Sequence, residues 1–169
     1  MKTIGCSLGL AVIVLVLHTG CDYRVALVEE PSLAMNTDLV GLWEHRDQRD
    51  RRNRMLVLPL DPMQHLVVFT HEDQTPLYGR AMKWQQEDFA LIQIAWIGTG
   101  EGVVPDQADA TFQYVKYVVE DDVLRVRLLH TDLVPQDIES AEDLIQLIEK
   151  HSKDPALFRN EIIYHRIDT

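Results

Sequence analysis

The links between strand-like segments constrain this chain most. Met55–Leu60 and His65–His71 flank Asp61-Pro62, Leu77–Trp84 and Phe89–Ile97 flank Gln85-Gln86-Glu87-Asp88, and Thr111–Val119 and Val123–His130 flank Glu120-Asp121-Asp122. Each segment is rich in β-branched and aromatic residues, and each link is a short polar turn. A link of a few residues cannot carry the chain back to a parallel partner, so each pair reads as an antiparallel hairpin. Leu39–Arg46 precedes the hairpins and Glu161–Ile167 follows them, which makes eight strands in sequence. An open meander leaves two edges with unpaired backbone groups, and closure removes both. The expected fold is mainly β: an eight-stranded up-and-down antiparallel β-barrel. Eight strands enclose an interior that side chains just fill, or that holds one small ligand.

One helix interrupts the run before the last strand. Ser140 with Asp143 three residues later matches a capping box. Ala141, Leu144, Ile145 and Ile148 follow at helical spacing, and Lys150 and His151 close the last turn, where positive charge suits the helix dipole. Its apolar face predicts packing on the outside of the barrel or across one end. Asp154-Pro155 reads as the N-cap of a further short turn through Phe158.

The first twenty-two residues have a different character. Lys2 precedes an apolar run from Ile4 to Leu17, which is shorter than the roughly 20 residues a spanning helix needs. Leu17-His18-Thr19-Gly20-Cys21-Asp22 ends it. A small residue before a cysteine at this place resembles the lipobox of bacterial lipoproteins. That resemblance implies a signal peptide over residues 1–20, lipidation of Cys21 and residence in the cell envelope. An uncleaved short anchor is the alternative. Asp22 after the cysteine resembles the signal that holds lipoproteins on the inner membrane of enteric-type bacteria. Cys6 lies within the leader, so Cys21 is the one cysteine of the mature chain. Disulfides, thiolate metal sites and cysteine nucleophiles are thereby excluded.

The chain of 169 residues carries 16 basic and 27 acidic side chains. Cleavage after Gly20 removes Lys2 alone, leaving 149 residues with a net charge of −12. That length suits one domain. Such a charge repels nucleic acid and anionic membrane surfaces, so membrane residence would depend on the lipid. Residues 21–38 read as the lipidated cysteine and a tether, with a strand over Tyr23–Val28 as the alternative. The barrel domain then spans residues 39–169.

Gly41-Leu42-Trp43 at the start of the first strand and Arg166 on the last resemble the lipocalin (calycin) family. The resemblance implies a Gly-x-Trp that opens strand one and an arginine that packs on the indole, closing the base of the barrel. It also implies a late helix and binding of a small hydrophobic ligand. An arginine over an indole face contributes a cation–π contact of about 0.5–2 kcal/mol.

No motif calls for a metal, a cofactor or a catalytic residue. The six mature histidines, 45, 65, 71, 130, 151 and 165, lack zinc spacing. Glu87-Asp88 and Asp121-Asp122 sit in turns, where paired acids cannot face each other across a cleft. No Gly-x-Ser-x-Gly is present. Gly98–Gly102 resembles a phosphate loop only in glycine content, since no Lys-Ser/Thr or helix start follows it. Arg46, Arg49, Arg51, Arg52 and Arg54, interleaved with Asp47 and Asp50, read either as a self-neutralising loop or as an anion contact at the barrel mouth.

The candidates for a ligand-binding wall are His45, Tyr78, Tyr114, Tyr117 and His130, with His45 and His130 alternatively at solvent near strand ends. The chain thus reads as a non-catalytic envelope lipoprotein, its partners being the membrane and either a small hydrophobic ligand or an envelope protein. An enclosed apolar cavity of about 300 Å³ or more would favour the ligand. A filled barrel with an exposed apolar patch would favour the protein.

Overall fold

The computed structural model describes residues 22–72, 74–87, 89–101 and 111–167. Residues 1–21, with Cys21 among them, Asp73, Asp88, residues 102–110 and residues 168–169 lie outside them. Eight strands form: β1 (Gly41–Arg46), β2 (Arg52–Asp61), β3 (Gln64–His71), β4 (Leu77–Gln86), β5 (Phe89–Thr99), β6 (Phe112–Glu120), β7 (Val123–Leu129) and β8 (Phe158–Arg166). Each pairs antiparallel with its sequence neighbours, and β8 returns to β1, so the barrel is closed. The helix α1 (Ala141–His151) precedes β8. Thus the predicted mainly-β, all-antiparallel barrel with one late helix is the fold. β2 begins at Arg52 rather than Met55, and β8 at Phe158 rather than Glu161. In both extensions charged residues belong to the strand because they point to solvent, and that hides the strand in a search for apolar runs.

The turns β2–β3, β4–β5 and β6–β7 lie at one end of the barrel, the base. The β1–β2, β3–β4 and β7–β8 connections, with the end of β5 and the start of β6, surround the mouth.

The central strands are covered on both faces. Ile92, Ile94 and Val115 point into the barrel with Trp43, Val57 and Leu124. Leu91, Ala95 and Tyr114 point outward, where they join Trp84 of β4 and Leu144 and Ile148 of α1. The Ser140 side chain caps α1, accepting from the Asp143 amide at 3.1 Å while its Oγ donates to the Asp143 carboxylate at 2.6 Å. Double-sided burial explains why Leu91-Ile92-Gln93-Ile94-Ala95 lacks the alternation of a one-sided strand.

Residues 22–38, expected as a tether, instead pack on the barrel. Tyr23 is 1% exposed. It exchanges backbone hydrogen bonds with Phe112 at 2.7 and 2.8 Å, and its hydroxyl donates to the Val134 carbonyl at 2.8 Å. The fully buried Gln93 side chain accepts from the Leu27 and Val28 amides at 2.7 and 2.9 Å and donates to the Val28 carbonyl at 2.8 Å. The segment then reaches the base, where the Met35 amide donates to Pro62. The alternative of a strand over Tyr23–Val28 is realised only as the single bridge between Tyr23 and Phe112. A strap held by one buried glutamine leaves no hydropathy pattern of its own.

The base is closed by one cluster. Trp43 is fully buried and its Nε1 donates to the Leu39 carbonyl at 2.9 Å. The Arg166 guanidinium lies 4.2 Å from the indole centroid and donates to the Val40 and Asp38 carbonyls at 2.7 and 2.8 Å. Gly41 has φ +144°, and a Cβ there would come within 2.5 Å of Arg166 Nη1. Glycine is required for both reasons.

Trp43→Ala is expected to lower the unfolding free energy by about 3–5 kcal/mol, read by urea denaturation. Gln93→Ala strands two buried amides and loosens the strap. Tryptic cleavage at the exposed Arg24 should accelerate in this variant while cleavage within the barrel strands does not.

Candidate functional site

The barrel holds a cavity of about 270 Å³ that opens at the mouth. It is close to the roughly 300 Å³ at which ligand pockets usually begin, though just below it. Met35 and Leu39 form its floor, and inward side chains of β2 to β8, Ala81 of β4 among them, form its wall. Phe69, Trp96 and Tyr164 supply the aromatic surface, with Phe69 edge-on to both other rings at 6.5 and 6.2 Å. His71 and Gln74 stand at the mouth.

The wall's polar groups differ in how they are held. His65 is buried, with Nδ1 donating to the Gln64 carbonyl at 3.0 Å and Nε2 facing the Asn36 carbonyl at 3.2 Å. Tyr117 meets the Asn36 side chain, and burial raises its phenol above the ordinary value. Tyr164 is 2% exposed, and burial pushes its phenol far above the ordinary value of about 10. Among the described residues its hydroxyl has no hydrogen-bond partner.

Of the five residues expected to line a ligand site, the cavity contains Tyr117. Tyr78 and Tyr114 point outward because Gly79 and Val115, their neighbours, face in; a strand alternates with period two, and one residue of register exchanges the faces. Tyr114 lies under the strap, its hydroxyl donating to the Val25 carbonyl and its ring 5.2 Å from Tyr23. Burial raises its phenol as well. His45 stitches a seam. β1 and β8 are in register only at Trp43↔Arg166 and Glu44↔His165. Towards the mouth, His45 Nδ1 donates to the Ile163 carbonyl at 2.9 Å, in place of a backbone bond. His130 lies beyond the end of β7, between the Ala156 carbonyl at 3.0 Å and the Asp132 carboxylate at 3.1 Å. The expected closure residues Gly41, Trp43 and Arg166 meet at the base as described.

Tyr164 and Phe69 escaped the sequence reading, whereas Trp96 belongs to the aromatic set of the central strands that could line a cavity. A signal for Tyr164 was present: if Arg166 packs on the inward Trp43, Tyr164 and Ile162 share its face.

The arginine-rich link forms the β1–β2 turn at the mouth. Arg46 pairs with Asp50 and Glu44 at 3.0 and 3.3 Å, Arg51 with Asp47 at 2.7 Å, and Arg54 with Glu44 at 3.1 Å. The Arg54 hydrogen bond holds Glu44 below its usual value, and the Arg51 amide does the same for Asp47. These pairs are exposed and contribute little to stability. Among the described residues no group of three or more histidine, cysteine or acidic side chains is arranged to hold a metal ion. None of their helices is long and apolar enough to cross a membrane.

The fold and site define a class: a closed eight-stranded antiparallel barrel with an apolar internal cavity and a base sealed by an arginine on a tryptophan. Neither a protein-family model, nor a curated protein, nor a solved structure matches the chain.

The buried tyrosines predict alkaline sensitivity. Tyr114 and Tyr164 stay protonated in the fold but ionise near pH 10 once unfolded. Their contribution is therefore complete below about pH 10 and is lost as pH rises, by about 1.4 kcal/mol per pH unit for each tyrosine. Urea midpoints measured from pH 9 to 11.5 should fall, and the fall should be shallower in Tyr164→Phe. Equal slopes would show that Tyr164 titrates normally.

Proposed function

We propose that this protein is a lipid-anchored, lipocalin-like binding protein of the bacterial cell envelope that holds a small hydrophobic ligand in its barrel without transforming it. The observation that carries the ligand is the apolar cavity of about 270 Å³ on the barrel axis. The observation that carries the anchor is the sequence Leu17 to Cys21 after an apolar leader. If Asp22 acts as a retention signal, the anchor lies in the inner membrane on its periplasmic face.

Tyr23 is clamped to the first residue of β6, and the Gln113 and Gln136 side chains hold Asp22 at 3.0 and 3.1 Å. A lipid on Cys21 would therefore hold the mouth-end flank of β6 close to the headgroups, because one peptide unit spans only about 3.8 Å.

A second reading, an accessory subunit of an envelope complex, is favoured by the outer face of β2–β3. Leu58, Leu60 and Met63 are 41%, 53% and 41% exposed there. They adjoin the cross-strand row Leu42, Leu56, Val68 and Tyr78.

Cys21→Ser should move the protein from the membrane to the soluble fraction of its host; unchanged membrane association would refute the anchor. Native purification followed by mass spectrometry separates the two readings of the barrel. A small molecule held in the purified protein supports the ligand, and a recurrent protein supports the subunit.

A further inference from the structure

Taking the barrel as a binding protein, we infer that its ligand is a neutral, compact hydrophobe of about nine to eleven heavy atoms bearing one hydroxyl or carbonyl, which bonds to Tyr164. The size follows from volume. An apolar cavity of about 150 Å³ accepts benzene, which is about 25 Å³ per heavy atom, and a water molecule takes about 30 Å³ of liquid. At those densities a cavity of about 270 Å³ holds roughly nine to eleven heavy atoms. A long-chain lipid does not fit wholly inside.

The lack of charge follows from the wall. No Asp, Glu, Lys or Arg is among the described residues that line the cavity. A carboxylate or ammonium drawn inside would lose its hydration without meeting a counter-ion, a cost that an apolar body of this size does not offset. The arginines of the β1–β2 turn belong to the mouth, and several are already paired with Asp47, Asp50 and Glu44.

The single polar group follows from Tyr164. The wall's other inner polar side chains are engaged: His65 is held by Gln64 and Asn36, Tyr117 meets the Asn36 side chain, and Gln113 donates to Asp22. The Tyr164 side chain is 2% exposed and lines the cavity, and among the described residues its hydroxyl makes no hydrogen bond, so its proton is available to donate. Its ring lies 5.6 Å from His45 and 6.2 Å from Phe69, which hold it in place.

The test measures equilibrium binding of 1-hexanol, 1-octanol, 1-decanol, 1-hexadecanol, n-nonane and octanoate. Wild-type protein is used at pH 8, with the fluorescence of the cavity residue Trp96 as the readout and Trp96→Phe as the control. Affinity should rise to octanol or decanol and fall for hexadecanol, and octanoate should bind at least tenfold more weakly than octanol. Tyr164→Phe should reduce the advantage of octanol over nonane by roughly three- to tenfold, the worth of one hydrogen bond. Ala81→Leu, which fills part of the wall, should move the optimum to a shorter alcohol, so the size argument does not depend on how Tyr164→Phe folds. Tightest binding by hexadecanol, or octanoate equal to octanol, overturns the inference and leaves the binding reading intact. No binding by any member, nonane included, overturns both.

Discussion

The seam between β1 and β8 is where the barrel closes, and it is the most sparingly bonded junction in the sheet. The two strands share register at Trp43↔Arg166 and Glu44↔His165, whereas β1 and β2 stay paired from Gly41 to Arg46. Side chains supply what the backbone leaves out. Arg166 bonds two carbonyls of the chain entering β1 while its plane covers the indole of Trp43, and His45 bonds across to Ile163. The Ile167 amide adds a bond to Leu42. A sheet with this seam open would expose two edges and the apolar interior together. Gly41 belongs to the same device, since its positive φ and missing Cβ let the guanidinium approach.

A second constraint is the layer outside the barrel. β4, β5 and β6 present apolar side chains on both faces, so one side of the sheet needs a cover. α1 supplies part of it, and the strap formed by residues 22–28 supplies the rest. The strap depends on polar satisfaction as much as on apolar area. Gln93, buried on a sheet face, takes the backbone groups of Leu27 and Val28 that would otherwise be buried without partners. The start of the described chain is therefore an integral part of the domain, while the outer face of β2–β3 leaves Leu58, Leu60 and Met63 exposed.

Strand number, hairpin order, the late helix and its cap were all legible in residue order. They follow from local quantities: turn chemistry, link length and the spacing of apolar side chains. The site was much less legible. Tyr78, Tyr114 and Tyr117 have the same character in sequence, yet Tyr117 lines the cavity, Tyr114 pins the strap and Tyr78 sits on the outer wall. His45 and His130 occupy strand positions that suggested a lumen, but each is bonded to a backbone carbonyl at a seam or a strand end. Tyr164 could have been derived from Arg166 by alternation, whereas nothing local marks its hydroxyl as lacking a partner.

By itself the sequence determined that the chain makes hairpins in series with one interrupting helix, because short polar links leave an antiparallel neighbour as the only reachable one. It also places both cysteines at or before Cys21, so residues 22–169 contain no thiol. Only the tertiary structure decided which face of each strand is the lumen, how much volume the closed barrel leaves inside, and that residues 22–38 form a strap. These depend on register around a closed ring and on side-chain packing, where one residue of shift exchanges inside for outside.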